Sequence, residues 1–290
     1  MQLNLSAFST ALFSTWVFVE NFGLLFDAGD GVSALLGQKE GKIRHVFVTH
    51  ADRDHMCGLL QLHQLNAKDG YPHIYFPVGC GSFPALQDFV KRFDPQSGPA
   101  TWTGLKAGDT VELQNGHTVI ARASAHVASV ELTKALDFTL CKVRRVLRTE
   151  FRGLTGSEIA SKRKELGDDA ISETKIEKLL GYSGDAPELN PPHWSGVKVL
   201  IHEATFLQTN TAHGSHSNLS QVIAAAAQLE LNALVLLHFS ARYTQDEIHR
   251  AIRQHAEENL PKFPIFAVCP GQIVTDVLGR SPIWQPSNKT

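Results

Sequence analysis

Apolar and alternating runs of strand length recur along the chain, and several of the intervals between them carry helical periodicity. The pattern predicts strands near residues 11–19, 22–26, 44–49, 73–77, 110–113 and 117–123. A second series, near 136–147, 179–183, 197–202, 232–237 and 264–268, alternates with helical patterns near 156–166, 218–229 and 244–257. Leu59, Leu60, Leu62 and Leu65 give residues 56–65 a helical pattern directly after the 44–49 strand. Thr155-Gly156-Ser157-Glu158 reads as a capping box, with Thr155 accepting from a free backbone N–H at the start of a short helix that ends at Gly167. The result is a β-rich α/β protein in two parts. No Pro/Ser/Gly linker and no internal repeat divides it, so one domain over 1–290 is expected.

Composition adds limits rather than a function. A chain of 290 residues with 43% hydrophobic and 19% charged residues can bury a sizeable core. Its 27 Lys and Arg against 29 Asp and Glu leave a net charge of -2, so bulk attraction does not draw it to polyanions and any nucleic-acid contact is local. One segment is basic: Lys142, Arg144, Arg145, Arg148, Arg152, Lys162, Arg163 and Lys164 meet only Glu150 and Glu158 between 142 and 164. It reads either as an RNA-binding element or as a solvated strand and helix face. Residues 1–38 contain no Lys or Arg, and Thr10, Ser14, Glu20 and Asn21 interrupt the apolar start. The expectation is therefore a cytoplasmic protein without a secretory signal or membrane span. Cys57, Cys80, Cys141 and Cys269 form no CxxC pair, so a metal, if held, sits on histidines and carboxylates.

The chemistry concentrates where strand 44–49 runs into His50-Ala51-Asp52-Arg53-Asp54-His55. In an extended segment His50, Asp52 and Asp54 lean to one side, and His55 serves a second ion from the helix start. His126, Asp185 and His238 follow other predicted strands, so all are expected at strand ends. Singly, each histidine reads as a hydrogen-bonded structural residue, and Asp185 in Ser183-Gly184-Asp185 as a turn former. Together they suit a two-metal hydrolase, with Asp185 as the bridge because a carboxylate has two oxygens and its charge offsets metal–metal repulsion.

These residues resemble the metallo-β-lactamase superfamily, whose HxHxDH segment corresponds to His50–His55 and whose first motif corresponds to Phe26-Asp27-Ala28-Gly29-Asp30. Within it the second half is similar to ribonuclease Z, the family that trims the 3′ end of precursor tRNA. The carrying segments are Tyr182-Ser183-Gly184-Asp185, Ile201-His202-Glu203-Ala204-Thr205-Phe206, His216-Ser217 and Leu237-His238-Phe239-Ser240-Ala241-Arg242-Tyr243. The resemblance covers about residues 20–245 and implies a four-layer αβ/βα sandwich, the metallo-β-lactamase fold. It implies two divalent ions, zinc foremost, with His50 and His126 on one, Asp54, His55 and His238 on the other, and Asp185 between them. Asp27 would support the site from behind, Asp54 would assist as base, and His216, oriented by Glu203, would protonate the leaving oxygen. Glu203 and His216 also read as a structural ion pair. Ser240 and Arg242 suit a phosphate contact, or equally a helix cap or a pairing with a carboxylate. His202 and His213 fit core packing and solvent exposure better than catalysis.

Two departures bear on the substrate. The family pattern has His where this chain has Asp52, a harder anionic ligand that favours manganese or iron, weaker binding or an empty site. The Gly/Pro-rich arm that many bacterial relatives carry is absent, and 136–176 is expected as a short substrate-binding insertion, with tRNA or another RNA as partner through 142–164. Homodimerisation is implied by the resemblance alone. The alternatives are a hydrolase of the same fold acting on a cyclic nucleotide, thioester or lactone, and a metal-poor, non-catalytic relative.

Overall fold

A computed structural model describes residues 3–66, 70–98, 100–127, 132–208 and 214–286. Two sheets carry the architecture. Sheet one contains β1 (Leu5–Thr10), β2 (Ser14–Val19), β3 (Leu24–Phe26), β4 (His45–Phe47), β5 (Gly70–Pro77) and β6 (Ala100–Leu105), in that spatial order. Sheet two contains β7 (Thr110–Leu113), β8 (His117–Ala123), β9 (Leu136–Leu147), β10 (Ser172–Tyr182), β11 (Val199–Glu203), β12 (Ala233–Leu237) and β13 (Ile265–Ala267), laid side by side from β13 back to β7. In each sheet an antiparallel meander, β1 to β3 or β7 to β10, passes into parallel strands.

Helices cover both outer faces. They are α1 (Val32–Leu36), α2 (Arg53–Met56), α3 (Leu59–Asn66), α4 (Ser82–Phe93), α7 (Pro191–Trp194), α8 (Leu219–Ala226) and α9 (Gln245–Asn259), while α5 (Gly156–Leu166) and α6 (Asp168–Ile171) lie between β9 and β10. Strands buried on both faces read as continuous apolar runs, and the period of two divides their side chains between layers. In β12, Val235 and Leu237 enter the core between the sheets with Phe26, Phe47, Phe138 and Tyr182. Leu234 and Leu236 face outward, against Val222 and Ile223 of α8 and Ile248 and Ile252 of α9. On the far side Val46 and Ile74 pack under Leu59, Leu62 and Phe83. The expected four-layer sandwich is therefore present.

The strand pattern holds with local differences. β1 and β6 have no counterpart among the predicted strands. The apolar run 11–19 conceals a turn, because Leu12 adopts φ 70° and the strand begins only at Ser14. β6 alternates half-buried and exposed residues at a sheet edge, which leaves little apolar signal. The predicted helix 56–65 is two helices, broken at Cys57-Gly58. There the backbone passes so close to the strand-end loop that Gly58 N–H donates to Ala28 O at 2.8 Å, and a Cβ at Gly58 would collide with the carbonyl oxygens of Gly29 and Ala28.

Residues 136–142 of the expected insertion pair with β8 inside sheet two. Beyond them the ends of β9 and β10 pair only with each other among the described residues, a ribbon that carries α5 and α6 at its tip. The capping box at Thr155 and Glu158 starts α5 as expected, and Gly167 ends it.

Gly58→Ala is expected to lower unfolding stability by about 1–3 kcal/mol, as overpacking against backbone does, measured as a reduced urea midpoint with unchanged slope.

Candidate metal centre

β8, β10, β11 and β12 run parallel to one another within sheet two, so their C-terminal ends share one edge. That edge meets the C-terminal ends of β3 and β4 across the sandwich. His50 follows β4, His126 follows β8, Asp185 follows β10, Glu203 ends β11 and His238 follows β12. Side chains far apart in sequence thus converge at strand ends, as the pattern predicted.

The extended conformation expected through 50–54 does not continue. Asp52 is extended at the N-cap of α2 (φ -73°, ψ 146°), and Arg53–Met56 forms a helical turn. The change of backbone separates the candidate ligands into two groups. His50, Asp52 and His126 place one donor atom each within 4.8 Å of one another, and so do Asp54, His55 and His238. Asp185 lies between them. Its Oδ2 is 3.6 Å from His50 Nε2 and 3.9 Å from His126 Nε2, while its Oδ1 is 3.3 Å from both His55 Nε2 and His238 Nε2.

Hydrogen bonds behind the imidazoles select their tautomers. Thr49 Oγ1 donates to Asp27, which leaves it to accept from His50 Nδ1 at 2.9 Å. His55 Nδ1 donates to Asp27 Oδ2 at 2.8 Å, and His126 Nδ1 to the carbonyl of Ser215 at 2.9 Å. Thr205 Oγ1 donates to Glu203 Oε2 and accepts from His238 Nδ1 at 3.0 Å. All four Nδ1 atoms are therefore protonated, and all four Nε2 lone pairs turn to the centre, the orientation in which imidazole binds metal. His50 Nε2 and Asp185 Oδ1 are buried without a hydrogen-bond partner. A buried carboxylate between inward-facing imidazoles fits a pair of divalent cations, which would supply what these atoms lack.

Charge at the site follows the same geometry. Burial works to raise the Asp185 pKa, but His238 and His55 outweigh it and hold the carboxyl well below the usual range. Burial works to lower His126, yet Asp52 and then Asp185 lift it to about 9. Asp52 differs from its companions: its side chain is 61% exposed, whereas that of His50 is 1% exposed.

The remaining expected residues fall into place unevenly. His216 Nδ1 is 3.1 Å from Glu203 Oε1 and 3.7 Å from Asp185 Oδ2, so the Glu203–His216 pair sits beside the bridge. Burial opposes its protonation, but Glu203 and then Asp185 raise the His216 pKa. Ser240 accepts from Arg242 Nε at 3.0 Å, and Arg242 lies over the rings of Phe206 and Tyr243, while Thr244 caps α9 instead. His202 is buried, its Nδ1 donating to Glu203 O at 2.8 Å, outside the ligand groups. His213 lies outside the described residues.

The sequence pattern assigns no role to Thr49, Tyr182 or Thr205, although the last two lie within the motif segments. Tyr182 OH donates to Asp27 Oδ2 at 2.6 Å, tying sheet two to sheet one under the candidate ligands. Leu12 is likewise unmarked: its backbone N–H donates to Asp54 Oδ2 at 2.9 Å, a bond with no sequence signal. Gly184 has φ 56°, and a Cβ there would meet Thr49 Cγ2 at 2.6 Å, so the turn that aims Asp185 requires glycine.

Comparisons with known proteins bear on the family and the fold. A family model described as "Beta-lactamase superfamily domain" matches residues 24–239. The chloroplastic tRNase Z TRZ2 of Arabidopsis thaliana is 29% identical over 255 residues, covering 82% of this chain and 68% of the relative. Ribonuclease BN of Salmonella gallinarum is 25% identical over 255 residues, covering 79% and 82% respectively. Among solved structures, the short form of human tRNase Z aligns with a TM-score of 0.59 at 19% identity, covering 94% of this chain and 99% of that one, a likeness of fold.

Removing the Tyr182 hydroxyl in Tyr182→Phe is expected to cost about 1.5–3 kcal/mol, the range for a hydrogen bond to a charged group. Asp27→Ala, which also strands His55 Nδ1 and Thr49 N–H, is expected to cost about 3–5 kcal/mol. Chemical denaturation of the ion-free proteins measures both, and equal losses would contradict the central place given to Asp27.

Proposed function

The chain belongs to the beta-lactamase superfamily, and from that premise we propose that it is a metal-dependent phosphodiester hydrolase of the ribonuclease Z kind, acting on the 3′ end of precursor tRNA. The observation that carries the reading is the Asp185 carboxylate, one oxygen turned to His50 and His126 and the other to His55 and His238, with Glu203–His216 alongside. His50, Asp52, His126 and Asp185 would hold one ion, and Asp54, His55, His238 and Asp185 the other. Divalent ions there supply Lewis acidity toward a phosphoryl oxygen and toward water.

The chain's own groups complete the reaction. Glu203 is fixed by N–H from Ala186 at 2.7 Å and by Thr205, and it holds His216 through Nδ1. His216 Nε2 is thereby the atom that delivers a proton to the leaving oxygen, and the raised pKa keeps that proton available near neutrality. Asp54, steadied by Leu12 N–H, takes up the proton of the attacking water.

Zinc is the first expectation, and the exposed carboxylate of Asp52 brings manganese or iron into the comparison. The same carboxylate favours a second reading, a hydrolase of a cyclic nucleotide, thioester or lactone. RNA would be met along 142–164, where Arg144 pairs with Glu177, Arg145 with Asp168 and Asp169, Arg163 with Asp168, and Lys162 with Glu165. These pairs are solvent-exposed and individually weak, so phosphates can displace them. No described helix is long and apolar enough to cross a membrane. A cytoplasmic setting and a homodimer, with one domain over 1–290, complete the proposal.

Zinc, manganese or iron loading is measured first, followed by rates on 3′-extended tRNA, bis(p-nitrophenyl) phosphate, and thioester and lactone substrates. His216→Ala is expected to lower kcat roughly 10²–10⁴-fold with metal content retained. Thr205→Val should weaken metal affinity about 10–100-fold. An ion-loaded protein that cleaves neither phosphodiester overturns the proposal, and turnover of an ester alone establishes the second reading. Binding to tRNA should weaken as salt rises, and Arg152→Gln with Lys164→Gln should flatten that slope by roughly one unit for each phosphate no longer neutralised.

A further inference from the structure

The turn between β1 and β2 has a feature that neither the fold nor metal binding requires. Leu12 and Phe13 stand at its tip with 86% and 65% of their surfaces exposed. Water is an unfavourable neighbour for two adjoining large apolar side chains, and a hairpin turn has no need of them. Leu12 is moreover left-handed, φ 70°, a conformation that glycine adopts freely and a leucine does not.

This turn is anchored to the site on two sides. Leu12 N–H donates to Asp54 Oδ2 at 2.9 Å, and Ala11 N–H donates to Phe239 O at 3.2 Å, next to His238. A further bond from Gly271 N–H to Thr10 Oγ1, 2.9 Å, fixes its base. The apolar pair is thus held at the rim, its main chain in contact with a residue of the proposed chemistry.

We propose that Leu12 and Phe13 form a platform for the nucleobase adjoining the scissile phosphate, an inference that rests on the phosphodiesterase reading above. A phosphate placed among Asp54, Asp185 and His216 puts the sugars of its two nucleotides just outside the ion site. Sugar and phosphate are polar, so the apolar faces that RNA offers at that distance are those of its bases. Stacking on an aromatic ring is tolerant of base identity, because every base has a π-face. The platform therefore gives purchase on a single-stranded nucleotide at the cleavage site without selecting its sequence. The Leu12 amide couples the platform to the Asp54 carboxylate, so the base and the reacting phosphorus are positioned by one turn.

The test uses the ion-loaded, full-length protein and three 3′-extended RNAs: the parent, one abasic immediately 5′ of the cleaved bond, and one abasic immediately 3′ of it. Phe13→Ala is expected to lower kcat/KM on the parent about 10–100-fold, chiefly through KM, the range for one stacked base. On one of the two abasic RNAs the same substitution should have no effect, because the stacking partner is already gone. Leu12→Gly serves as the second variant: it relieves the left-handed leucine, so its melting temperature should hold or rise while it shows the same base-dependent loss. Equal losses on all three RNAs, or no loss on the parent, overturn the platform while leaving the phosphodiesterase reading intact. An unmodified protein that cleaves none of the three overturns both.

Discussion

The structure depends on the buried carboxylate of Asp27. It follows β3, is fully shielded from solvent and adopts φ 55°. Its two oxygens accept from Thr49 N–H, Thr49 Oγ1, His55 Nδ1 and Tyr182 OH. An isolated carboxylate at this depth would be prohibitively costly, and these bonds to the charged form offset that cost. They also join the sheets at the edge where the candidate ligands converge, because Thr49 and His55 belong to the β4–α2 segment while Tyr182 comes from β10. The orientation of His50 depends on Asp27 through Thr49, and that of His55 directly.

The centre is also where the backbone departs from its preferred conformations. Asp27 and His238 are both left-handed, at φ 55° and 62°, each at a cost of about 1–3 kcal/mol. Surrounding bonds hold them there: His238 N–H donates to Ser9 Oγ at 2.9 Å while its ring is held by Thr205. The apolar layers above and below supply the stability that this strain and the clustered charges consume. A rigid sandwich and a strained edge are consequently parts of one arrangement, since imidazoles that were free to rotate would lose the common orientation of their Nε2 atoms.

Asp52 stands apart from that rigidity. It is the one member of the His50–His55 segment's ligand types exposed at the mouth, and no side-chain cap bond restrains it at the start of α2. Because it faces both His50 Nε2 and His126 Nε2, at 3.6 and 3.7 Å, it completes a donor group of two imidazoles and one carboxylate, the same make-up as Asp54, His55 and His238. The two halves therefore differ in the exposure of their carboxylates, 61% for the Asp52 side chain against 10% for Asp54, rather than in donor type.

Much of this was legible in the chain. Doubly buried strands such as β11 and β12 announce themselves as apolar runs, and the ligand types follow them at the positions where parallel strands deliver side chains to one edge. The capping box at Thr155 was local and needed only its own residues. By contrast, β1 and β6 were hidden, the first because Ser6, Ser9 and Thr10 are buried beside its apolar residues and leave no apolar run, and the second because an edge strand lacks two buried faces. The basic segment looked unpaired from 142 to 164, yet Asp168, Asp169 and Glu177 fold back onto it across the ribbon. The linear pattern of residues was enough to specify the identity and order of the chemical groups and the layers that carry them. It took the folded chain to turn Asp54 away from His50 on a helix, to make each imidazole donate from Nδ1, and to bring the turn at Leu12 onto Asp54. Those outcomes depend on hydrogen bonds between residues as many as 89 positions apart, and no local pattern encodes a partner at that distance.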